Sequence, residues 1–142
     1  MVFIDGVDIQ DISLQILRSN IGFVEQEPFL FSELLRNNIA YGVEKASNVE
    51  IKEVAHIADL LAQIEEFPDG LDTFLGERGV TISGGQKQRT AIARAIMIHP
   101  KILILDDAFA SVDTHTEDTI LTHLRGIMEE RTTLIISHRI ST

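Results

Sequence analysis

Ile82-Ser83-Gly84-Gly85-Gln86-Lys87-Gln88-Arg89, followed about one helix later by Ile102-Leu103-Ile104-Leu105-Asp106-Asp107, decides how this chain is read. Ser83 stands where a helix N-cap is expected, and Gln86, three residues on, completes a capping box. A helix start carries uncommitted N–H groups and partial positive charge, so it can hold an anion, and the two glycines let the anion approach the backbone. The helix runs to about Ile98, where His99-Pro100 stops it. Ile102–Leu105 is wholly apolar, as in a strand of a parallel sheet covered on both faces. It ends in paired carboxylates, and an aspartate in that position can hold Mg²⁺ directly or through water.

Outward from this core, Val2–Ile4 reads as a strand ending at an Asp5-Gly6 turn, and Ile12–Arg18 as a short helix. Ile21–Val24 is a second apolar strand, halted at Pro28. Glu33–Asn38 is predicted helical. Val49–Leu61 is predicted as one helix with Ile51, Val54, Ala55, Ala58 and Leu61 on its inner face. Phe67–Thr81 reads as loop, Thr114–Glu130 as helix and Thr133–Ile136 as a buried strand. The second half thus alternates helix and strand, which implies an α/β fold with a parallel sheet. In such sheets ligands sit beyond the carboxyl ends of the strands. Gln26, Asp106/Asp107 and Ser137/His138 all fall at such ends, so one edge of the sheet is expected to gather them.

Composition narrows the function classes. The chain has 142 residues, 44% apolar and 24% charged, which suits one globular domain or part of one. Its formal net charge of −10 argues against non-specific nucleic-acid binding, which depends on Lys/Arg contacts to phosphate. No apolar run approaches the roughly 20 residues that span a bilayer. Cysteine is absent, which excludes disulfides and thiolate metal sites. His56, His99, His115 and His123 lack metal-ligand spacing. Asp59, Glu65, Glu66, Asp69 and Asp72 read as a solvated charge run. Arg89 and Arg94 are expected to pack and to pair with carboxylates.

The ordered motifs resemble the ATP-binding domain of ABC transporters, exporter branch, over essentially the whole chain. Ile82–Gln86 resembles the signature motif and Ile102–Asp107 the Walker B motif. Ile21-Gly22-Phe23-Val24-Glu25-Gln26 is similar to the Q-loop, Gly76-Glu77-Arg78-Gly79 to the exporter X-loop, Ser111-Val112-Asp113 to the D-loop and Ile136-Ser137-His138-Arg139 to the H-loop. Phe29-Leu30-Phe31 and Asn38-Ile39-Ala40-Tyr41-Gly42 are similar to exporter segments. The resemblance implies a P-loop NTPase-type parallel core with a helical signature unit at about residues 30–98, residues 1–142 being a partial ATP-binding domain that runs from Q-loop to H-loop and is incomplete at both ends. It implies ATP and Mg²⁺ as cofactors. Asp106 would hold the metal through water. Gln26 would sense metal and attacking water, and His138 would contact the γ-phosphate. Ser83, Gly84, Gly85 and Gln86 would bind a nucleotide held by a second subunit, and Asp113 would couple the two sites. A membrane domain would dock through the Q-loop and X-loop, at the cytoplasmic face of the membrane.

The chain departs from the family pattern twice. No G-x-x-x-x-G-K-S/T P-loop occurs, so that loop is expected upstream, and the isolated chain is expected to be inactive and weakly stable with exposed apolar surface. Asp107 stands where the family usually has glutamate, its general base. One methylene of displacement, roughly 1 Å, can cost on the order of a hundredfold in rate. The alternative to an active engine is therefore a degenerate-site partner that binds ATP and lends its signature to a heterodimer. A chromosome-structure ATPase is disfavoured because the coiled coils such proteins insert between these motifs are missing. The exporter-like Phe29–Gly42 and Gly76–Gly79 segments disfavour an importer subunit or a soluble ABC protein of translation.

Overall fold

The computed structural model describes residues 1–77 and 79–138; Arg78 and Arg139, each part of a motif quoted above, lie outside them. Strand β1 (Phe3–Ile4) folds back onto β2 (Val7–Asp8) as an antiparallel hairpin. Its turn residues Asp5 and Gly6 both have left-handed backbone, with φ of 49° and 81°, as a two-residue hairpin turn requires. Helix α1 (Leu14–Asn20), capped by Ser13, leads directly into β3 (Ile21–Val24). Helices α2 (Leu35–Ile39), α3 (Asn48–Ile57), α4 (Leu61–Glu66) and α5 (Gly84–Met97) follow. Then come β4 (Ile102–Asp106), α6 (Thr114–Glu129) and β5 (Thr132–Ile136).

The three longer strands form a parallel sheet in the order β3-β4-β5. Its register sets Val24 beside Leu105, Leu105 beside Ile135 and Asp106 beside Ile136, so the three strands end level. Helix α5 lies on the face carrying Gly22, Val24, Leu103 and Leu105. The approach is so close that a Cβ on Gly22 would stand 2.5 Å from the Ala95 carbonyl oxygen. Ile39, Val54, Ala55, Ile92, Ile96, Ile120 and Leu124 continue the core from the helices.

The expectation that the sheet is covered on both faces fails. Along β4, Leu103 and Leu105 are buried, whereas Ile102 and Ile104 are only half-buried. Phe23, Ile104 and Leu134 share the second face, and Phe23 and Leu134 remain about half exposed. Nearer the strand starts, this face borders an open apolar groove lined by Phe3, Ile12, Ile16, Leu17, Ile21 and Ile102. The cause is that α1, the helix on that side, buries none of its residues.

The predicted helix 49–61 is in fact two. Helix α3 closes in a Schellman arrangement: Leu60 N–H donates to Ala55 O and Asp59 N–H to His56 O, with Asp59 left-handed at φ 53°. The chain then restarts as α4. The expected loop 67–81 contains one 3₁₀ turn, Gly70–Asp72, and isolated bridges pairing Leu34 with Phe74 and Leu75 with Val80. Asp72 is exposed, as expected, and pairs with Arg36 at 2.7 Å. Among the described residues no helix is long and apolar enough to cross a membrane.

Candidate active site

Two polar clusters stand out, one at the carboxyl edge of the sheet and one at the start of α5. At the sheet edge, Gln26 follows β3 and Asp107 follows β4, and Gln26 Nε2 donates to Asp107 Oδ2 at 3.2 Å. Asp107 is buried, 8% exposed, in a left-handed conformation with φ 48° that aspartate tolerates better than most residues. Its N–H donates to Ile136 O at 2.8 Å, which ties the end of β4 to the end of β5. His138 follows two residues beyond Ile136 and is exposed. Asp106, the last residue of β4, is half-buried and its carboxylate makes no hydrogen bond among the described residues. A carboxylate free at a strand end suits a hydrated Mg²⁺, which keeps several waters and needs only one or two protein ligands. No group of three His, Cys, Asp or Glu side chains that could hold a metal occurs among the described residues, so a dedicated protein cage is not what this edge provides.

The second cluster is built on the N-terminus of α5. Ser83 Oγ accepts from Gln86 N–H at 3.2 Å, and Gln86 Oε1 accepts from Ser83 N–H at 2.8 Å. This capping box satisfies two of the four orphan donors of the helix start and leaves the N–H groups of Gly84 and Gly85 uncommitted among the described residues. Two free donors on the positive end of a 14-residue helix fit a phosphate. Ser111 packs beneath them: a Cβ on Gly85 would lie 2.9 Å from Ser111 O, and one on Gly84 3.2 Å from Ser111 Oγ. Asp113 caps α6 beside this turn, accepting from Thr116 N–H at 2.9 Å and Thr116 Oγ1 at 2.7 Å. Those hydrogen bonds, led by the one from the Thr116 hydroxyl, hold its carboxyl below the ordinary value.

Among the described residues, Arg89 and Arg94 form no salt bridge with a carboxylate. Arg89 donates to Asp59 O, Gly85 O and Gln63 Oε1. The Asp59 carbonyl is presented by the break between α3 and α4, a feature the periodicity of residues 49–61 conceals. Burial pushes the Arg89 guanidinium below its ordinary value, which the Asp59 and Asp113 charges oppose. It remains a cation lodged behind the Gly84-Gly85 turn. Arg94 donates to Phe29 O, Asn38 O and Asn38 Oδ1 and lies over the rings of Phe31 and Tyr41. It thereby fixes the segment after Gln26 to α5.

Two polar residues of these clusters carry no motif signal strong enough to be assigned from sequence. Gln63 Oε1 accepts from both Gln86 Nε2 and Arg89 Nη2. Gln88, 1% exposed, bonds to the backbone of Gln26, Asp107 and Ser111. For Gln88 the hint is a glutamine on the face shared with Ala91 and Ile92, whereas Gln63, between Asp59 and Glu66, offers none.

The fold is thus an α/β protein whose parallel sheet ends in a carboxylate unpaired among the described residues, beside a helix start with two uncommitted N–H groups. The family model described as ABC transporter matches residues 1–110, and the chain belongs to that family. It is 55% identical over 141 residues to the uncharacterized ABC transporter ATP-binding protein YknU of Bacillus subtilis (strain 168), covering 99% of this chain and 24% of that protein. It is 46% identical to the ATP-dependent lipid A-core flippase of Desulfotalea psychrophila, covering 99% of this chain and 25% of that protein. Among solved structures, a bacterial Atm1-family ABC exporter with ATP bound superposes with a TM-score of 0.91 at 43% identity, over 96% of this chain and 24% of that one. The chain therefore spans about a quarter of the length of these relatives.

Proposed function

We propose that this chain is the Q-loop-to-H-loop part of the ATP-binding domain of an ABC exporter, in which ATP hydrolysis drives transport across a membrane. The observation that carries this reading is the convergence of Gln26 and Asp107, 3.2 Å apart, at the level ends of three parallel strands. When bound, Mg²⁺ would neutralise charge on the phosphate oxygens of ATP. Asp106 would hold the hydrated ion with its free carboxylate. Gln26 would orient metal and water through its carboxamide, and His138 would face the γ-phosphate. Gly84 and Gly85 would offer their N–H groups, with Ser83 and Gln86, to a nucleotide held chiefly by a second copy or a related subunit. Asp113 would couple the two sites. The P-loop would come from a part of the full-length protein outside these residues.

A membrane-domain partner at the cytoplasmic face is supported by a second surface. Phe31 meets Phe29 edge to face and lies tilted against Tyr41, with Arg94 beside them, and Phe29 and Tyr41 are more than half exposed. Pro28, Phe29, Leu75, Gly76, Val80 and Ile82 line the adjoining groove. Exposed aromatic surface of this kind supports a docking role toward the membrane domain.

One observation favours the degenerate-site alternative. The short Asp107 side chain is 8% exposed and held by Gln26 Nε2, which limits its reach toward an attacking water. Measuring MgATP hydrolysis by the full-length protein tests both readings. The main reading expects turnover that is lost in Asp106→Asn. The alternative expects slow turnover that rises in Asp107→Glu. Equal rates well above background for wild type and Asp106→Asn would rule out both.

A further inference from the structure

The side chain of Gln88 sits where three loops cross. Its Nε2 donates to Gln26 O at 3.0 Å and to Asp107 O at 3.4 Å, while its Oε1 accepts from Ser111 N–H at 2.7 Å. The side chain is buried, so no water can replace these partners. Gln26 Nε2 closes a ring by bonding Asp107 Oδ2. Ser111 in turn supports the Gly84-Gly85 turn, where the space of a Cβ is already taken by its carbonyl oxygen and hydroxyl. One carboxamide therefore ties the sheet-edge cluster to the helix-start cluster. Only Asn and Gln side chains present a donor pair and an acceptor on one planar group, and only Gln has this reach.

We propose that Gln88 is a positioning residue that locks Gln26, Asp107 and the Ser111 support of the Gly84-Gly85 turn into one geometry, so that the two phosphate clusters move together. This rests on the ATPase reading above. Gln88 touches no reacting atom itself. It sets the backbone from which Gln26 and Asp107 project. Its loss takes a donor from the Gln26 and Asp107 carbonyls and an acceptor from the Ser111 N–H, and frees the loops to drift apart. Misplacement of about 1 Å is enough to slow a reaction on the order of a hundredfold.

The test is steady-state MgATP hydrolysis by the full-length protein carrying Gln88→Met, Gln88→Glu, Gln26→Ala, the double change Gln26→Ala/Gln88→Met, or Ile92→Val as a core control in the same helix. Gln88→Met is expected to lower kcat by about tenfold or more while KM for ATP stays within about twofold, since positioning, not ground-state binding, is lost. In the Gln26→Ala background the same change should cost no more than about twofold, because the two act as a unit. Gln88→Glu keeps the acceptor for Ser111 N–H but loses both donors. It should therefore lower kcat by about tenfold or more, as Gln88→Met does. Ile92→Val should keep wild-type kcat. The inference is overturned if Gln88→Met or Gln88→Glu keeps kcat within about twofold, or if the effect of Gln88→Met multiplies with that of Gln26→Ala. If wild type shows no ATP turnover at all, the ATPase reading fails and takes this inference with it.

Discussion

Replacing Gly22 by alanine tests how tightly the fold places α5, and with it the whole candidate site, against the sheet. The added Cβ would lie 2.5 Å from Ala95 O, 3.2 Å from Ala95 C and 2.9 Å from Pro100 Cγ. The first obstacle is helix backbone, so no side-chain rotation relieves it, and α5 must retreat by about 1 Å to reach ordinary contact. Ile92, Ile96 and Met97 on α5 are buried among the other helices and oppose that retreat. Overpacking against backbone belongs at the upper end of the range of about 1–3 kcal/mol. The reduced freedom of the unfolded chain returns roughly 0.5–1 kcal/mol. The net cost is about 2 kcal/mol, which for a chain of this size lowers Tm by about 6–10 °C. Gly126 provides the reverse case. It is exposed in α6 with nothing within 4 Å of its Cβ position, so the same chemical change there should add up to about 1 kcal/mol of helix stability. Thermal unfolding followed by circular dichroism at 222 nm reads both. A Gly22→Ala protein melting within about 2 °C of wild type, or a Gly126→Ala protein destabilised as much as Gly22→Ala, would refute the reasoning.

Other expectations follow from the same geometry. Ser83→Ala removes the hydroxyl that caps α5 and should cost about 1 kcal/mol in chemical denaturation, whereas Ser83→Asp should cost little. Gly85→Ala pushes a Cβ to 2.9 Å from Ser111 O and should abolish ATP turnover of the full-length protein while leaving its far-ultraviolet dichroism intact. Asp113 and Glu50 both have carboxyls held below their ordinary values of 3.8 and 4.5, Asp113 chiefly by the Thr116 hydroxyl and Glu50 chiefly by the Ser47 hydroxyl. In each case the native state binds fewer protons than the unfolded chain just below the ordinary value. Their stabilisation is therefore present above that value and is lost as pH falls through the lowered native one. Denaturation midpoints of Thr116→Val should accordingly depend less on pH below about 4 than those of wild type.

The parts of the fold that rest on local chemistry were legible in the residues. The capping box of Ser83 and Gln86, the stop at His99-Pro100 and the apolar run Ile102–Leu105 each act within a few residues, and the structure realises all three. Parallel pairing followed from the alternation of helix and strand, and the sheet is parallel. What depends on distant partners was hidden. The inner-face periodicity of Ile51, Val54, Ala55, Ala58 and Leu61 runs through the break at Asp59, so only the left-handed tolerance of aspartate could have signalled it. Arg89 and Arg94 found carbonyl oxygens rather than carboxylates because the helix ends at Asp59 and Asn38 and the loop at Phe29 present unsatisfied acceptors that no residue pattern announces. The second face of the sheet reads as buried from composition alone, since an apolar strand looks the same whether or not a helix lies over it. Gln26 and Asp107 are separated by 81 residues, and only the rule that parallel strands end together brings them near in advance of a structure. That rule says nothing of Gln88, whose importance is visible only once three loops have closed around it.

The central claim is that the Gly84-Gly85 turn serves a nucleotide in another copy of the protein while Asp106 serves one in its own. Complementation tests it directly. Full-length Ser83→Arg and Asp106→Asn proteins are purified separately, then mixed in equal amounts under conditions that allow subunit exchange, and MgATP hydrolysis is measured for each sample. Each variant alone should be near background. In the mixture, half of the symmetric dimers become mixed, with one intact site of two, so about a quarter of the wild-type rate should return. A mixture that stays at background, or a Ser83→Arg protein that keeps the wild-type rate unaided, would contradict the account.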